Sequence, residues 1–549
     1  MAEHTLHSIA FPVLDEAQIA QAANCTTLTP KHYRDGETLV ALRDRAFKFF
    51  IVKSGEVEIL DYSGDEPRTI VTHRKGEFTG DISHLTGTPA IFKAIARGDC
   101  DVFEISAEAL RHLLNQCPSL SDIILQAFIA RRQLLRESPN FIGLRVIGSR
   151  YSADTFRVRD FLARNRVLFT WMDLETDPQV NQLLKSFGLT EADTPVVACA
   201  HMLLLRNPSN QKLADEVGVH QSLERTVYDL LVVGAGPAGL AAAVYGASEG
   251  LRTAVVDSVG PGGQAGSSMR IENYLGFPTG LTGGELTDRA TLQANKFGAH
   301  LSIPTAATRL SFENGYATVD AGGSEPITTK CLLIATGAQY RRLNVEGFEQ
   351  FEGTGVYYAA TPAEALLCRG CPAVVVGGGN SAGQAAVFLA GNASRVLLLI
   401  RGDDLNKNMS SYLVQRIEQT PNIELFTNTT IQRMSGNGHL EAVEILNSGN
   451  GERRAIETPA VFSFIGATPR TDWLPPEVER DEKGFVRTGA AVAKSMHWGV
   501  TRTPYLLETS HPGVFAAGDV RSGSVKRVAS AVGEGAMSVQ FVHEYLKEM

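Results

Sequence analysis

Val227-Tyr-Asp-Leu-Leu-Val-Val-Gly234-Ala-Gly236-Pro237-Ala238-Gly239-Leu-Ala-Ala-Ala243 is the stretch on which the fold class of this 549-residue chain turns. The apolar run over 230–233 reads as a buried parallel strand, and the Ala-rich text after Gly239 as a helix. The glycine spacing between them is that of a dinucleotide cradle. The first glycine makes the tight turn, the second lets a pyrophosphate approach the backbone, and the third lets helix pack on strand. A second strand over 252–256 ends at Asp257, about 20 residues on, where an acid should meet a ribose hydroxyl.

The pattern recurs. Pro372-Ala-Val-Val-Val-Gly377-Gly-Gly379-Asn380-Ser381-Ala382-Gly383 is again strand, glycine loop and helix, with the next strand over 395–400. Two such sites in one chain imply that two rings meet face to face for hydride transfer. After the second strand comes Arg401-Gly402-Asp403-Asp404, so no ribose-binding acid sits directly on its end.

At roughly 150 residues per domain, three or four domains are expected. The formal net charge is −9, and there is no long basic run, so nucleic acid and acidic membranes lack an electrostatic footprint here. No apolar run approaches the ~18 residues of a membrane span, and the start lacks the basic and apolar regions of a secretory signal. Seven cysteines form an odd, scattered set, which reads as a reducing, cytoplasmic setting.

Residues 1–138 are strand-rich, then helical over 119–136. The stretch 47–60 alternates around Ser54-Gly55 and is expected to form a hairpin. With Lys75-Gly-Glu-Phe-Thr-Gly80-Asp81-Ile, it resembles the cyclic-nucleotide-binding β-roll. That family places an arginine for the cyclic phosphate where this chain has Ala90, so the roll is expected to serve assembly or another ligand.

Residues 139–219 read as β-α-β-α-β-β-α, with Phe141 opening the module. They resemble thioredoxin and glutaredoxin, Thr194-Pro195 standing where that family has its cis-proline. The redox tetrad is replaced by Ser149-Arg150-Tyr151-Ser152, so no disulfide exchange is expected. Cys199 reads as a core thiol. A polar linker over 220–225 follows.

The remainder resembles low-molecular-weight thioredoxin reductase over nearly its whole length. Gly262-Gly263-Gln264, the loop 271–278 with Asn273, Leu332-Leu-Ile-Ala-Thr336-Gly337, Gly466 and Gly513-Val-Phe-Ala-Ala-Gly518-Asp519 match its motifs. The resemblance implies FAD, with Asp519 on the ribitol and a helix N-terminus at Arg527-Val528-Ala529 facing the flavin. It implies NAD(P)H at the second loop, NADPH over NADH, with Arg401, Lys407 and Arg416 as available cations although the family's arginine pair is missing. It also implies a homodimer. The expected architecture is multidomain α/β: an FAD domain over 220–346 and 460–549, and an NAD(P)H domain over 347–459, with connections near 347–357 and 459–466.

The family's Cys-Ala-Thr-Cys-Asp falls on Ala359-Ala360-Thr361-Pro362-Ala363, so both cysteines and the proton donor are absent there. A displaced pair, Cys368-Arg369-Gly370-Cys371, lies nine positions on, roughly 13 Å away if helical. Tyr357 and Tyr358 could line the open flavin face. Three readings stay open: an NAD(P)H oxidoreductase passing electrons to another acceptor such as a quinone or a protein partner, a disulfide reductase acting through Cys368 and Cys371, and a sensor with little turnover.

Overall fold

A computed structural model of the chain describes every residue except 1, 46, 63–65, 139–142, 200–202, 269, 323–324 and 361, and their side chains except at 2–5, 362 and 363. Thr361, the side chains of Pro362 and Ala363, and the first module boundary with Phe141 therefore lie outside the described residues.

Tyr228–Val233 is the centre of a seven-stranded sheet, because residues 230–233 are apolar on both faces and buried. Thr253–Val256 and Ile327–Ile334 flank it in parallel, His300–Ser302 extends one side, and Val514–Ala516 joins the other. Leu230, Val232 and Leu333 are fully buried, each contributing about 1.5–3 kcal/mol. The chain leaves the first strand toward one edge and returns on the opposite side, which opens a crevice at the carboxyl ends of the strands. The helix Pro237–Ser248 packs beneath, and the final helix Val528–Glu548 lies against it. Gly535 permits that approach, since a Cβ there would fall 2.0 Å from the Ala238 carbonyl oxygen.

A second parallel sheet runs Val356–Tyr357, Val461–Ser463, Pro372–Val376, Arg395–Leu399, Ile423–Phe426. A three-stranded antiparallel layer over Thr429–Ser435, Ala442–Asn447 and Arg453–Glu457 covers one face. The expected domain limits need correcting here. Val461–Ser463 is an interior strand of the second sheet, so the border at 459/460 falls too early. Leu343 and Val345 pack into that domain's core as well, which moves the first crossing before 347. The two crossings instead pair with each other as Ala338–Tyr340 against Ala467–Pro469, an antiparallel ribbon between the domains.

The N-terminal module is an antiparallel roll of five strands closed by the helices Ala107–Gln116 and Pro118–Glu137. The expected hairpin at Ser54-Gly55 is absent. Phe49–Asp61 is one strand of 13 residues paired along Lys93–Ile105, and Gly55 at φ +77° forms an irregularity in the ladder. A positive-φ glycine serves a turn and a bulge equally well, and the long partner strand decides for the bulge. Cys25 and Cys117 form a disulfide spanning 92 positions, which the scattered cysteine pattern did not indicate.

The middle module has the four-stranded sheet order Phe169–Asp173, Leu144–Gly148, Val196–Cys199, Leu203–Arg206. The first pair is parallel, the others antiparallel, and Thr194–Pro195 is cis.

Candidate functional site

The crevice of the first sheet widens into a cleft of about 2130 Å³ reached by all four modules. Its floor is the first glycine turn. Gly234 takes φ +111°, and a Cβ there would sit 2.2 Å from the Ala335 carbonyl oxygen. A Cβ on Gly239 would fall 1.9 Å from the Gly234 oxygen, so this glycine packs the turn and does not face the cleft. Gly236, Pro237 and Ala238 line the cleft, and a Cβ on Gly263 would lie only 3.0 Å from the Gly236 Cα. That bare double-glycine surface, at the N-terminus of a 12-residue helix, is the backbone a diphosphate needs.

The other expected flavin residues gather around the same space. Asp257 lines the cleft while its carboxylate accepts from the backbone N–H groups of Ala235, Val259 and Gly260, holding the turn to the second strand. Gln264 donates to the Ala338 carbonyl. Thr336 Oγ1 donates to the Arg470 carbonyl at 2.9 Å, and Gly337 and Gly466 both take positive φ at the ribbon. Gly518 and Asp519 close the far wall. Burial pushes the Asp519 carboxyl above its ordinary value, with Lys526 opposing, and the Lys526 ammonium donates to the Asp519 carbonyl at 2.6 Å. Arg527 and Val528 line the cleft where the last helix begins, whereas Ala529 is exposed outside it. Asn273 is also exposed and away from the lining. An acid at the ribitol position, a helix start opposite and a Cβ-free phosphate floor suit a flavin dinucleotide.

From the second glycine loop only Ser381 reaches this cleft. Gly377, at φ +140°, abuts the Phe464 carbonyl, and Gly379 precedes the helix Asn380–Ala390. The Asn380 amide is tied to Ser410, while Ala382 is buried in the domain core. Arg401 is exposed, Lys407 pairs with Asp403 at 2.6 Å, and Arg416 with Glu272 at 2.8 Å.

The structure does not bring Cys368 and Cys371 to the cleft. Cys368 is fully buried in the second domain's core, and burial pushes its thiol up to about 12, with Cys371 next in effect. Cys371 is exposed on the other side of a turn closed by its N–H bond to the Cys368 carbonyl. A thiol held protonated is a poor nucleophile. The catalytic assignment of this pair is thus corrected. Tyr357, Tyr358 and Ala359 line the cleft instead, and Tyr358 stacks parallel on Tyr340 across the domain boundary, centroids 5.7 Å apart.

Sequence reading missed an entire wall of this site. Phe156, Arg159, Asp160, Arg164 and Arg166 of the middle module face the cleft, with Arg132 and Arg136 of the roll's last helix behind them. The middle-module helix Ala153–Arg164 touches both nucleotide-binding domains. Near its start Tyr151 stacks on His439 and Phe156 meets Tyr357; at its end Arg164 donates to the Gly263 carbonyl and Asn165 to that of Val259. Arg166 pairs with Asp288. No local pattern marks these contacts, which join positions from about 94 to 288 apart in the sequence.

The β-roll cassette is filled by the protein itself. Arg131, flanked by Phe11 and Phe78, donates to the carbonyls of Ala10, Phe78 and Gly80. Asp81 accepts from the Ser83 N–H and from Arg132. Ala90 is buried with its N–H on Asp44, Gly87 sits against Gln221 of the linker, and Pro89 lies so close to Gly218 that a Cβ there would meet it at 2.2 Å.

Residues 228–535, more than half of the chain, match the pyridine nucleotide-disulphide oxidoreductase family, and residues 30–117 match the cyclic nucleotide-binding domain. Thioredoxin reductase of Treponema pallidum is 32% identical over 321 residues, 58% of this chain and 98% of its own length. That of Bacillus subtilis is 31% identical over 327 residues, covering 59% and 97%. Among solved structures, Lactococcus lactis thioredoxin reductase in its FR conformation superposes with a TM-score of 0.53 at 27% identity, covering 59% of this chain and all of its own. Thioredoxin reductase of T. acidophilum superposes with a TM-score of 0.53 at 29% identity, covering 58% of this chain and 99% of its own. The chain belongs to the pyridine nucleotide-disulphide oxidoreductase family, as a thioredoxin reductase-like oxidoreductase that carries a cyclic nucleotide-binding domain toward its N-terminus.

Proposed function

We propose that this oxidoreductase holds FAD in the cleft, takes hydride from NADPH or NADH, and delivers electrons to an acceptor without a resident disulfide beside the flavin. The single observation that carries this is that one cleft is lined by a bare glycine floor at Gly236 and Gly263 and by Tyr358 and Ala359 in place of sulfur. When bound, FAD supplies two-electron chemistry between a nicotinamide and the acceptor. The chain's own residues bind and orient. The Gly234–Gly239 turn offers N–H groups to the diphosphate, Asp257 stands at the ribose end, Asp519 at the ribitol, and the Val528 helix start at the ring. Gly377, Gly379 and Ser381 form the second cradle. Arg401, the one cation there without an ion pair among the described residues, supports NADPH over NADH.

The middle module fits a thioredoxin-like domain that has lost its redox role. Its strand order and cis Thr194–Pro195 support that reading, and Ser152, where the second cysteine of the tetrad would stand, instead caps its helix by accepting from the Thr155 N–H. Its position over the cleft also favours regulation of electron transfer by the N-terminal modules. A homodimer and a cytoplasmic location complete the proposal. The test is spectroscopic: purified protein should be yellow and bleach anaerobically with NADPH or NADH. Colourless protein, or a flavin band unmoved by either coenzyme, contradicts it.

A further inference from the structure

The loops that would surround a cofactor diphosphate, 234–239 and 257–268, contain no lysine or arginine. Arg289, a lining cation from the same domain, is paired with Glu285. These loops offer a diphosphate backbone dipoles but no cation of their own. Arg164 stands in that place. Its Cβ lies against Gly260, where an added Cβ would be 2.7 Å away, and its Nη1 donates to the Gly263 carbonyl at 3.2 Å. Gly260 adjoins the Asp257 end of the groove, and Gly263 touches Gly236 at the phosphate floor. The side chain therefore runs from the ribose end, at its Cβ, toward the phosphate floor, where its guanidinium meets Gly263. It also lies close enough to Tyr340 to pull that phenol down against the burial that pushes it up to about 12.

The side chain is preset for this. Asp160 accepts from Nε with both oxygens, at 2.9 and 2.8 Å, which fixes the plane of the fork. Nη2 carries no hydrogen bond among the described residues. The last turn of a helix also favours a cation. Asp160 offsets part of the charge, but it engages the Nε edge and leaves the Nη edge toward the cleft.

We infer that Arg164, from the middle module, is a binding residue for the FAD diphosphate, so that the flavin site is completed by a domain outside the reductase-like half. This rests on the reading that the cleft holds FAD. The planar fork suits a diphosphate, which accepts charge-assisted hydrogen bonds in pairs.

The test uses the full chain, stripped of flavin, with FAD affinity followed by flavin fluorescence. Arg164→Ala should weaken FAD binding about ten- to hundred-fold, the loss expected for a hydrogen bond to a charged group. Arg164→Lys, which keeps the charge without the fork, should fall between. Asn165→Ala removes the neighbouring bond to Val259 but spares the cation, and should bind FAD as the parent does. Unchanged affinity in Arg164→Ala overturns the inference alone. Equal losses in Asn165→Ala and Arg164→Ala also overturn it, since docking of the module would then set the affinity. A parent protein that takes up no FAD overturns the flavin reading and this inference together.

Discussion

At the Gly234 turn, the backbone of Gly236, Pro237 and Ala238 faces an open cleft; at the Gly80-Asp81 cassette, the corresponding groups are engaged by Arg131, Arg132 and Ser83. Both are glycine-marked nucleotide motifs. What separates them is whether the hydrogen-bonding groups still face space or are satisfied within the fold. Burying a polar group costs free energy unless it is paired, so groups that face no open space find partners within the fold. The Ala90 N–H on the Asp44 carbonyl is such a pairing, and Gln221 beside Gly87 and Pro89 against Gly218 pack the same region.

The largest effect should come from distorting the turn that floors the open site. Gly239→Val places side-chain atoms where even a Cβ meets the Gly234 oxygen at 1.9 Å, and should cost more than about 3 kcal/mol and abolish flavin retention. Absorbance at the flavin band of purified protein reads it. Retained flavin would show that the turn tolerates a different backbone.

Next, Arg131→Met should destabilise the roll by about 3 kcal/mol and unfold it at lower denaturant, because two buried carbonyls and one half-buried one lose their donor. The flavin spectrum should persist through that first transition. Loss of both together would mean that the filled and open sites fold as one unit.

The roll should also be acid-sensitive. Burial holds His73 and His84 below the ordinary imidazole range. Below about pH 6.5 the unfolded chain binds protons that the folded roll refuses, so stability falls with pH by up to about 1.4 kcal/mol per unit for each histidine. Thermal unfolding at pH 7 and 5 measures the slope, and His84→Gln should flatten it.

Arg401→Ala should raise KM for NADPH about tenfold and leave NADH unchanged, a difference of about 1.4 kcal/mol. The smallest effect is expected at Cys371→Ser, which should not alter turnover with any acceptor. A marked loss there would return the displaced cysteines to the mechanism.

Much of this was legible in the sequence. The run over 230–233, its glycine triplet and the Ala-rich text each favour the same local structure, and local agreement of that kind survives tertiary folding. The Gly377 loop was readable for the same reason. Gly55 was not, because φ +77° fits a turn or a bulge and only the pairing with Lys93–Ile105 decides. The domain border was misplaced because Val461–Ser463, adjacent in sequence to the connecting ribbon, belongs to the second sheet. Arg164 near Gly263 and Cys25 bonded to Cys117 leave no periodic trace, since each joins distant segments through a single side-chain contact.

The most direct test of the account is an anaerobic titration of the holoprotein that counts NAD(P)H equivalents against bleaching of the flavin band. With tyrosine and alanine on the wall opposite the glycine floor, a single hydride equivalent per flavin should complete the reduction. Uptake of a second equivalent, with accessible thiols appearing in step, would place a disulfide in electronic contact with the flavin and contradict it.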